Sequence, residues 1–264
     1  MVQGQLLKMM ATVEGGKVRY AMRLGEELLD MSSFIGQPFS VKPTGVLTCI
    51  NCGTRVKKFY GQGFCWPCLS TAPEASECIV RPELCRAHLG EGRDAQWEND
   101  HHNTEHFVYL SQSGGFKVGV TRSTQIPTRW VDQGAVQAVI IARTPYRQLA
   151  GLIEVELKKQ FADKTNWRAM LGAVAPDREM MSALRTRALD ALAYEMGAYA
   201  LPEEEPMVLE YPVLAHPPKV NSMNLDKVPE VAGTLAGIKG QYLIWSDGRV
   251  LNVRNHSGYH VVVA

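Results

Sequence analysis

Phe107-Val-Tyr-Leu110, Ser113-Gly114-Gly115 and Phe116-Lys-Val-Gly-Val-Thr121 form the stretch on which the fold turns. Two β-prone runs flank a glycine turn, the pattern of an antiparallel hairpin. The period then changes. Pro127 can open a helix through Trp130 to Gln133, with Gly134 to close it. Val136 to Ala142 reads as a buried strand. Beyond Pro145, Leu149, Ile153 and Leu157 recur at spacing four, one face of a second helix. Asp177 to Met196 predicts a third, striped by Met181, Leu184, Ala188, Leu192 and Met196. Hairpin, helix, strand, helix, helix: this order predicts an α/β core over residues 105–200.

Outward from that core, both ends are β-prone, so the expected class is α+β. Val18, Tyr20, Met22 and Leu24 alternate with polar residues after a Gly15-Gly16 turn. Residues 1–104 are read as an N-terminal β segment with a zinc ribbon or knuckle. Residues 201–264 are read as a linker and a small C-terminal β domain. Pro202 to Pro218 is rich in Pro and Glu. Gln241 to Trp245 and Arg249 to Val253 then flank a Ser246-Asp-Gly248 turn, and Tyr259 to Val263 supplies a closing strand.

The strongest chemical signal is Cys49-x2-Cys52-x12-Cys65-x2-Cys68. Each C-x2-C pair presents two thiolates from one tight turn, and Gly53 lets the chain fold back towards the sulfurs. Zinc takes four soft ligands in a tetrahedron, and two such turns supply them. A closed four-cysteine site leaves no open position, so its expected role is structural. Cys78 and Cys85 remain, followed by several histidines. Two thiolates with two imidazoles would complete a second zinc site, with His102 and His106 as the expected nitrogen ligands and His88 in reserve. The competing reading makes these two cysteines core residues and the histidines solvated.

Of 264 residues, 45% are hydrophobic and 21% charged, and the net charge is +1. This is the composition of an ordinary globular protein. No apolar run reaches the roughly 20 residues needed to cross a bilayer, and Met1 to Arg23 lacks the layout of a signal peptide. The cytoplasm is the expected compartment, where clustered cysteines bind metal rather than pair. Charge is uneven. Val41 to Ala72 carries Lys42, Arg55, Lys57 and Lys58 and no acid, while nine bases oppose five acids between Glu105 and Arg168. The segment from Pro202 onward is acidic. A polyanion such as DNA or RNA suits the basic middle of the chain.

The zinc pairs, Arg81-Pro-Glu-Leu-Cys85, Lys117-Val-Gly-Val-Thr-Arg122, Thr128-Arg-Trp-Val-Asp-Gln-Gly-Ala135, Thr165-Asn-Trp-Arg168 and Gly237-Ile-Lys-Gly-Gln-Tyr242 carry a resemblance over most of the chain. It is to the bacterial family called Domain of Unknown Function 2797, and it implies no particular activity. Over about residues 105 to 170 the hairpin, with Tyr109 on its first strand and Val118-Gly119 on its second, also resembles the GIY-YIG nuclease core. That resemblance implies Glu154 as ligand of Mg2+ or Mn2+, Arg129 as a phosphate contact, and Tyr109 near the attacking water. Arg122, Lys117 and Asn166 complete the candidate set. The pattern is broken twice: Phe107 replaces the first glycine, and Lys117 replaces the second tyrosine. Lysine binds phosphate but is a poor base unless its pKa falls far.

Each residue also has a plainer use. Glu154 can pair with Lys158 along a helix, Tyr109 can be core, Arg122 and Arg129 can line a solvated rim, and Asn166 can cap a helix beginning near Trp167. Three functions stay open: a metal-dependent nuclease, a zinc-containing nucleic-acid-binding protein without catalysis, and a zinc-stapled protein-interaction module.

Overall fold

Alternation along the first strands has one consequence: a face that must be covered. β1 (Val2–Glu14) pairs antiparallel with β2 (Lys17–Leu24) across Gly15 and Gly16, at φ 57° and 81°. Only glycine adopts two such successive angles freely. Val18, Tyr20, Met22 and Leu24 are all buried. The computed structural model describes residues 1–161, 166–192 and 196–264. In it these strands join β3 (Glu27–Asp30), β4 (Pro38–Leu47), β9 (Asn221–Ser222), β10 (Val231–Lys239), β11 (Tyr242–Trp245), β12 (Arg249–Asn252) and β13 (Tyr259–Val263). Together they form a nine-stranded sheet in the order β3-β2-β1-β13-β4-β10-β11-β12-β9.

The C-terminal strands therefore do not close on themselves as a small separate β domain. β13 lies between β1 and β4, with Val263 opposite both Val2 and Val41. The reason is burial. Leu6, Met9 and Met22 from one end of the chain, and Leu243, Trp245 and Val261 from the other, share one apolar core that neither end could build alone.

The central segment folds as expected in kind and order. β5 (His106–Gln112), β6 (Phe116–Arg122), β7 (Gln137–Thr144) and the short β8 (Met207–Val208) form an antiparallel sheet ordered β6-β5-β7-β8. Every residue of β5 is buried, because both faces of the strand are covered. Val108 and Leu110 pack with Ala150, Ile153 and Leu157 of α4 (Arg147–Lys158) and with Met181, Ala188 and Leu192 of α6 (Arg178–Leu192). Tyr109 faces the other way, joining Trp130 and Val131 of α3 (Thr128–Asp132) in the core of the large sheet.

Gly134, at φ 65°, follows α3 as expected, and any Cβ there would lie 2.3 Å from Met170 Sδ on α5 (Trp167–Leu171). Asp177 precedes α6 and accepts the Met180 N–H at 2.9 Å. Residues 193–195 of the helix expected to reach Met196 lie outside the described residues, as do Asp163, Lys164 and Thr165. No described helix is long and apolar enough to cross a membrane.

Candidate functional site

After β4 the chain turns sharply through the first cysteine pair. The Gly53 N–H donates to the Cys49 carbonyl at 3.0 Å, and the Cys49 N–H to Thr54 O at 2.9 Å. Gly53 sits at φ 71°, the left-handed conformation its position asks for. The second pair opens α1 (Trp66–Thr71), with Cys65 at the cap and Cys68 in the first turn. The Cys65 N–H points at Cys49 Sγ, 3.3 Å away, and the Asn51 amide at Cys68 Sγ, 3.4 Å away. All four sulfurs lie within 4.8 Å of one another. Cys52 Sγ and Cys65 Sγ are 3.8 Å apart, the edge expected, about 3.8 Å, of a tetrahedron with metal–sulfur bonds of about 2.3 Å. Hydrogen bonds from the Thr54 side chain and backbone hold the Cys52 thiol down at about 6. This set can bind a metal ion such as zinc.

A second set forms further along the chain. α2 (Ala95–His101) starts at Asp94, whose carboxylate accepts the Trp97 N–H at 2.9 Å. Glu98 and His102, one turn apart, are both buried and meet Cys78 and Cys85. The four ligand atoms again lie within 4.8 Å of one another. Cys78 Sγ is 3.8 Å from His102 Nδ1, and Glu98 Oε2 touches the same nitrogen. Gly92 makes room for this carboxylate, since a Cβ there would lie 2.3 Å from Glu98 Cγ.

His106, expected as the fourth ligand, is not in this set, and Glu98 stands in its place. His106 opens β5, where sheet pairing fixes it, and its Nδ1 lies 2.7 Å from the Thr104 carbonyl. His88 is stacked on Tyr146, with ring centroids 4.4 Å apart. The sequence did carry a signal for Glu98. Its spacing to His102 places both on one helical face.

Burial pushes the His106 pKa down to about 3. The unfolded chain therefore takes up a proton near the ordinary value of about 6.5 that the folded chain refuses. Stability from this residue is complete above that value. As pH falls towards the folded value it is lost at up to about 1.4 kcal/mol per unit. Urea midpoints of the protein and of His106→Gln test this. The difference between them should shift against the parent on acidification, and a difference independent of pH would be contrary to the expectation.

The hairpin positions the third feature. Tyr109 sits opposite Gly119, where any Cβ would come within 2.5 Å of Tyr109 Oη. That hydroxyl donates to Gln133 Oε1 at 3.0 Å. Burial raises its pKa, and Arg129 works against the rise. In front of it opens a cleft of about 270 Å³, lined by Lys8, Arg122, Arg129, Asp132, Arg147 and Arg254 among others. An adjoining hollow shares Arg129 and Arg147 and adds Lys117, Gly119, Gln133 and Glu154. Burial lowers the pKa of Arg122, Arg147 and Arg254, a sign that these cations have been partly withdrawn from water.

Asp132 is paired with Lys8, and Glu154, 7% exposed, lies 3.4 Å from Lys158 Nζ. These two carboxylates also favour the charged form of Arg129, Arg147 and Arg254, though among the described residues none of the four arginines makes a short ion pair with a carboxylate. Hard divalent cations want several oxygen ligands. Here Glu74, Asp132 and Glu154 line the two hollows, the latter two already paired with lysines, among four guanidinium groups, so the residues present fit an anion better than Mg2+ or Mn2+.

The structure thus brings Lys117, Arg122, Arg129 and Glu154 to one place, with Tyr109 behind them. Asn166 does not line either hollow. Its side chain caps α5, accepting the N–H groups of Arg168 and Ala169 at 3.0 and 3.3 Å. Arg147 and Arg254, both lining the cleft, carried no signal in the sequence, for nothing in their neighbours marks them.

No curated protein and no solved structure matches this chain. Matched from residue 36 to residue 261, and so across both ligand sets and nearly all of the cleft, the chain belongs to the family described as Protein of unknown function (DUF2797).

Proposed function

We propose that this protein binds nucleic acid, gripping the phosphodiester backbone in its arginine-lined cleft, and that Cys49, Cys52, Cys65 and Cys68 hold a structural zinc ion beside it. One observation carries the reading: Arg122, Arg129, Arg147 and Arg254 converge on one cleft, where the two carboxylates nearest them, Asp132 and Glu154, are each paired with a lysine. Partly buried guanidinium groups lose hydration and regain it from phosphate oxygens, which their planar forks fit in pairs. Four thiolates in a closed tetrahedron favour zinc over harder ions. Cysteines grouped as ligand sets suit a reducing compartment such as the cytoplasm.

Retention of labelled DNA and RNA by the purified protein tests this. Binding should weaken steeply with salt. Arg129→Met should cost about tenfold in affinity and flatten the salt slope by about one unit. No retention of either polymer at low salt would reject the reading and leave a zinc-stapled protein-interaction module.

A second reading, hydrolysis, draws on Tyr109, Lys117 and Glu154 lying around the same cleft, as the GIY-YIG resemblance implies. Against it stand the occupied carboxylate, the lysine at the second tyrosine position and a deeply buried Tyr109. Incubation with Mg2+ or Mn2+ beside Glu154→Ala separates the two. Cleavage lost in the variant would establish a nuclease.

A further inference from the structure

We infer that Cys78, Cys85, Glu98 and His102 bind a second metal ion of the zinc type, and that this ion fixes the position of Arg147 in the cleft. The second half rests on the cleft being the anion site.

The donor set comes first. Two thiolates, one imidazole and one carboxylate make a complete tetrahedral set for a borderline divalent ion. All four are gathered within 4.8 Å from two separate segments. A buried carboxylate is costly without a cation, and two thiolates beside it would add to that cost, so the set is best satisfied by a metal ion. No lysine or arginine side chain bonds Glu98 among the described residues. Its contact is to His102.

Arg147 ties both of these segments to α4. Its guanidinium donates to the carbonyl of Cys78 at 3.0 and 2.9 Å and to that of Ile79 at 3.0 Å. Its backbone N–H donates to the carbonyl of His102 at 2.9 Å. One residue thus reads the position of a ligand from each segment. The same loop lies directly on α4, where Gly151 leaves room for the backbone of Pro82 and Glu83. Ile79, Val80 and Pro82 then form a wall of the hollow that holds Lys117 and Glu154. The carbonyls of Cys78 and Ile79 can hold Arg147 only while Cys78 itself is held. Without the ion the end of the loop that bears Cys78 has little apolar anchoring: Val80 and Leu84 are exposed, and the buried Pro82 and Ala87 lie further along.

The test uses the full-length zinc-loaded chain, with Cys78→Ser and, should that variant misfold, Glu98→Gln. Metal per chain is counted by mass spectrometry of the ions, hydrogen exchange is followed at the Arg147 amide, and retention of a short labelled DNA is measured. Two zinc ions are expected in the parent and one in either variant. Exchange at the Arg147 amide should quicken by about tenfold or more in the variants, and DNA affinity should fall by about tenfold. Arg147→Met should keep both ions and lose the same affinity. Combining it with Cys78→Ser should cost little more, because the two act through one contact. One ion in the parent, or two in the variants, would overturn the site. Unchanged exchange, or fully additive losses, would overturn the coupling. Should the parent retain no DNA, the nucleic-acid reading falls, while the ion count and the exchange still decide this one.

Discussion

Serine at Cys65, or a chelator strong enough to strip the first cluster, is expected to unfold the segment from about residue 48 to residue 72 while the large sheet persists. The expectation rests on how little else holds that segment. Its buried apolar residues are Cys49, Cys65, Cys68 and Ala72, with Val56 and Phe64 only partly covered. Three of the four buried members are the proposed ligands themselves. Ion binding at such a site supplies on the order of 10 kcal/mol of folding free energy, and nothing in this segment replaces it. It touches the sheet and the turn before β13 through Phe59, whose ring lies 5.7 Å from that of Tyr259, and through a few hydrogen bonds, among them Val56 N–H to Leu47 O and Arg254 to Gln62. Limited proteolysis is the measurement. Cuts should appear inside the segment at least a hundredfold faster after metal removal, with strands β4 and β13 still protected. A segment equally resistant without metal would mean that its order comes from docking and that the cysteines are incidental.

Gly151→Ala carries the second large effect, and its sign is informative. On an open helix this change stabilises by up to about 1 kcal/mol, because alanine is the better helix former. At this position the added methyl would lie 2.2 Å from Glu83 N and 2.4 Å from Pro82 C. Both are backbone atoms, which cannot swing aside as a side-chain tip can. Either α4 or the loop must shift, and a loss of about 2–4 kcal/mol is expected. Urea denaturation reads the stability, and retention of labelled DNA reads the cleft wall that the loop forms. A gain in stability would show that the loop does not rest on α4 as closely as described.

What could be read from the sequence, and what could not, divides along the range of the forces involved. The hairpin of β5 and β6, the start of α3 after Pro127 and the four-cysteine spacing are local patterns, each set by a few neighbouring residues, and all are found in the structure. The partner of β13 was not legible. Alternation in Tyr259–Val263 says that one face is buried, yet nothing in those residues says that Val2 and Val41 lie beside Val263. Glu98 escaped for another reason. Glutamate is ordinarily a solvated residue, and only its spacing from His102 together with the space left by Gly92 marks it as inward-facing. The cleft was half legible. Arg122 and Arg129 stood out through a resemblance, whereas Arg147 and Arg254 acquire meaning only when segments far apart in the chain are brought together.

The place of β13 has a consequence for how the protein is made. Residues 259–263 occupy an interior position in the large sheet, between two strands that precede them by most of the described chain. Until the ribosome has released them, β1 and β4 each keep one unpaired edge, and the apolar face that Leu6 and Met9 share with Val261 stays open. Such edges invite pairing with other chains. The large sheet can therefore close only once β13 is free to enter between β1 and β4, and its two neighbours stay open to wrong pairing until then.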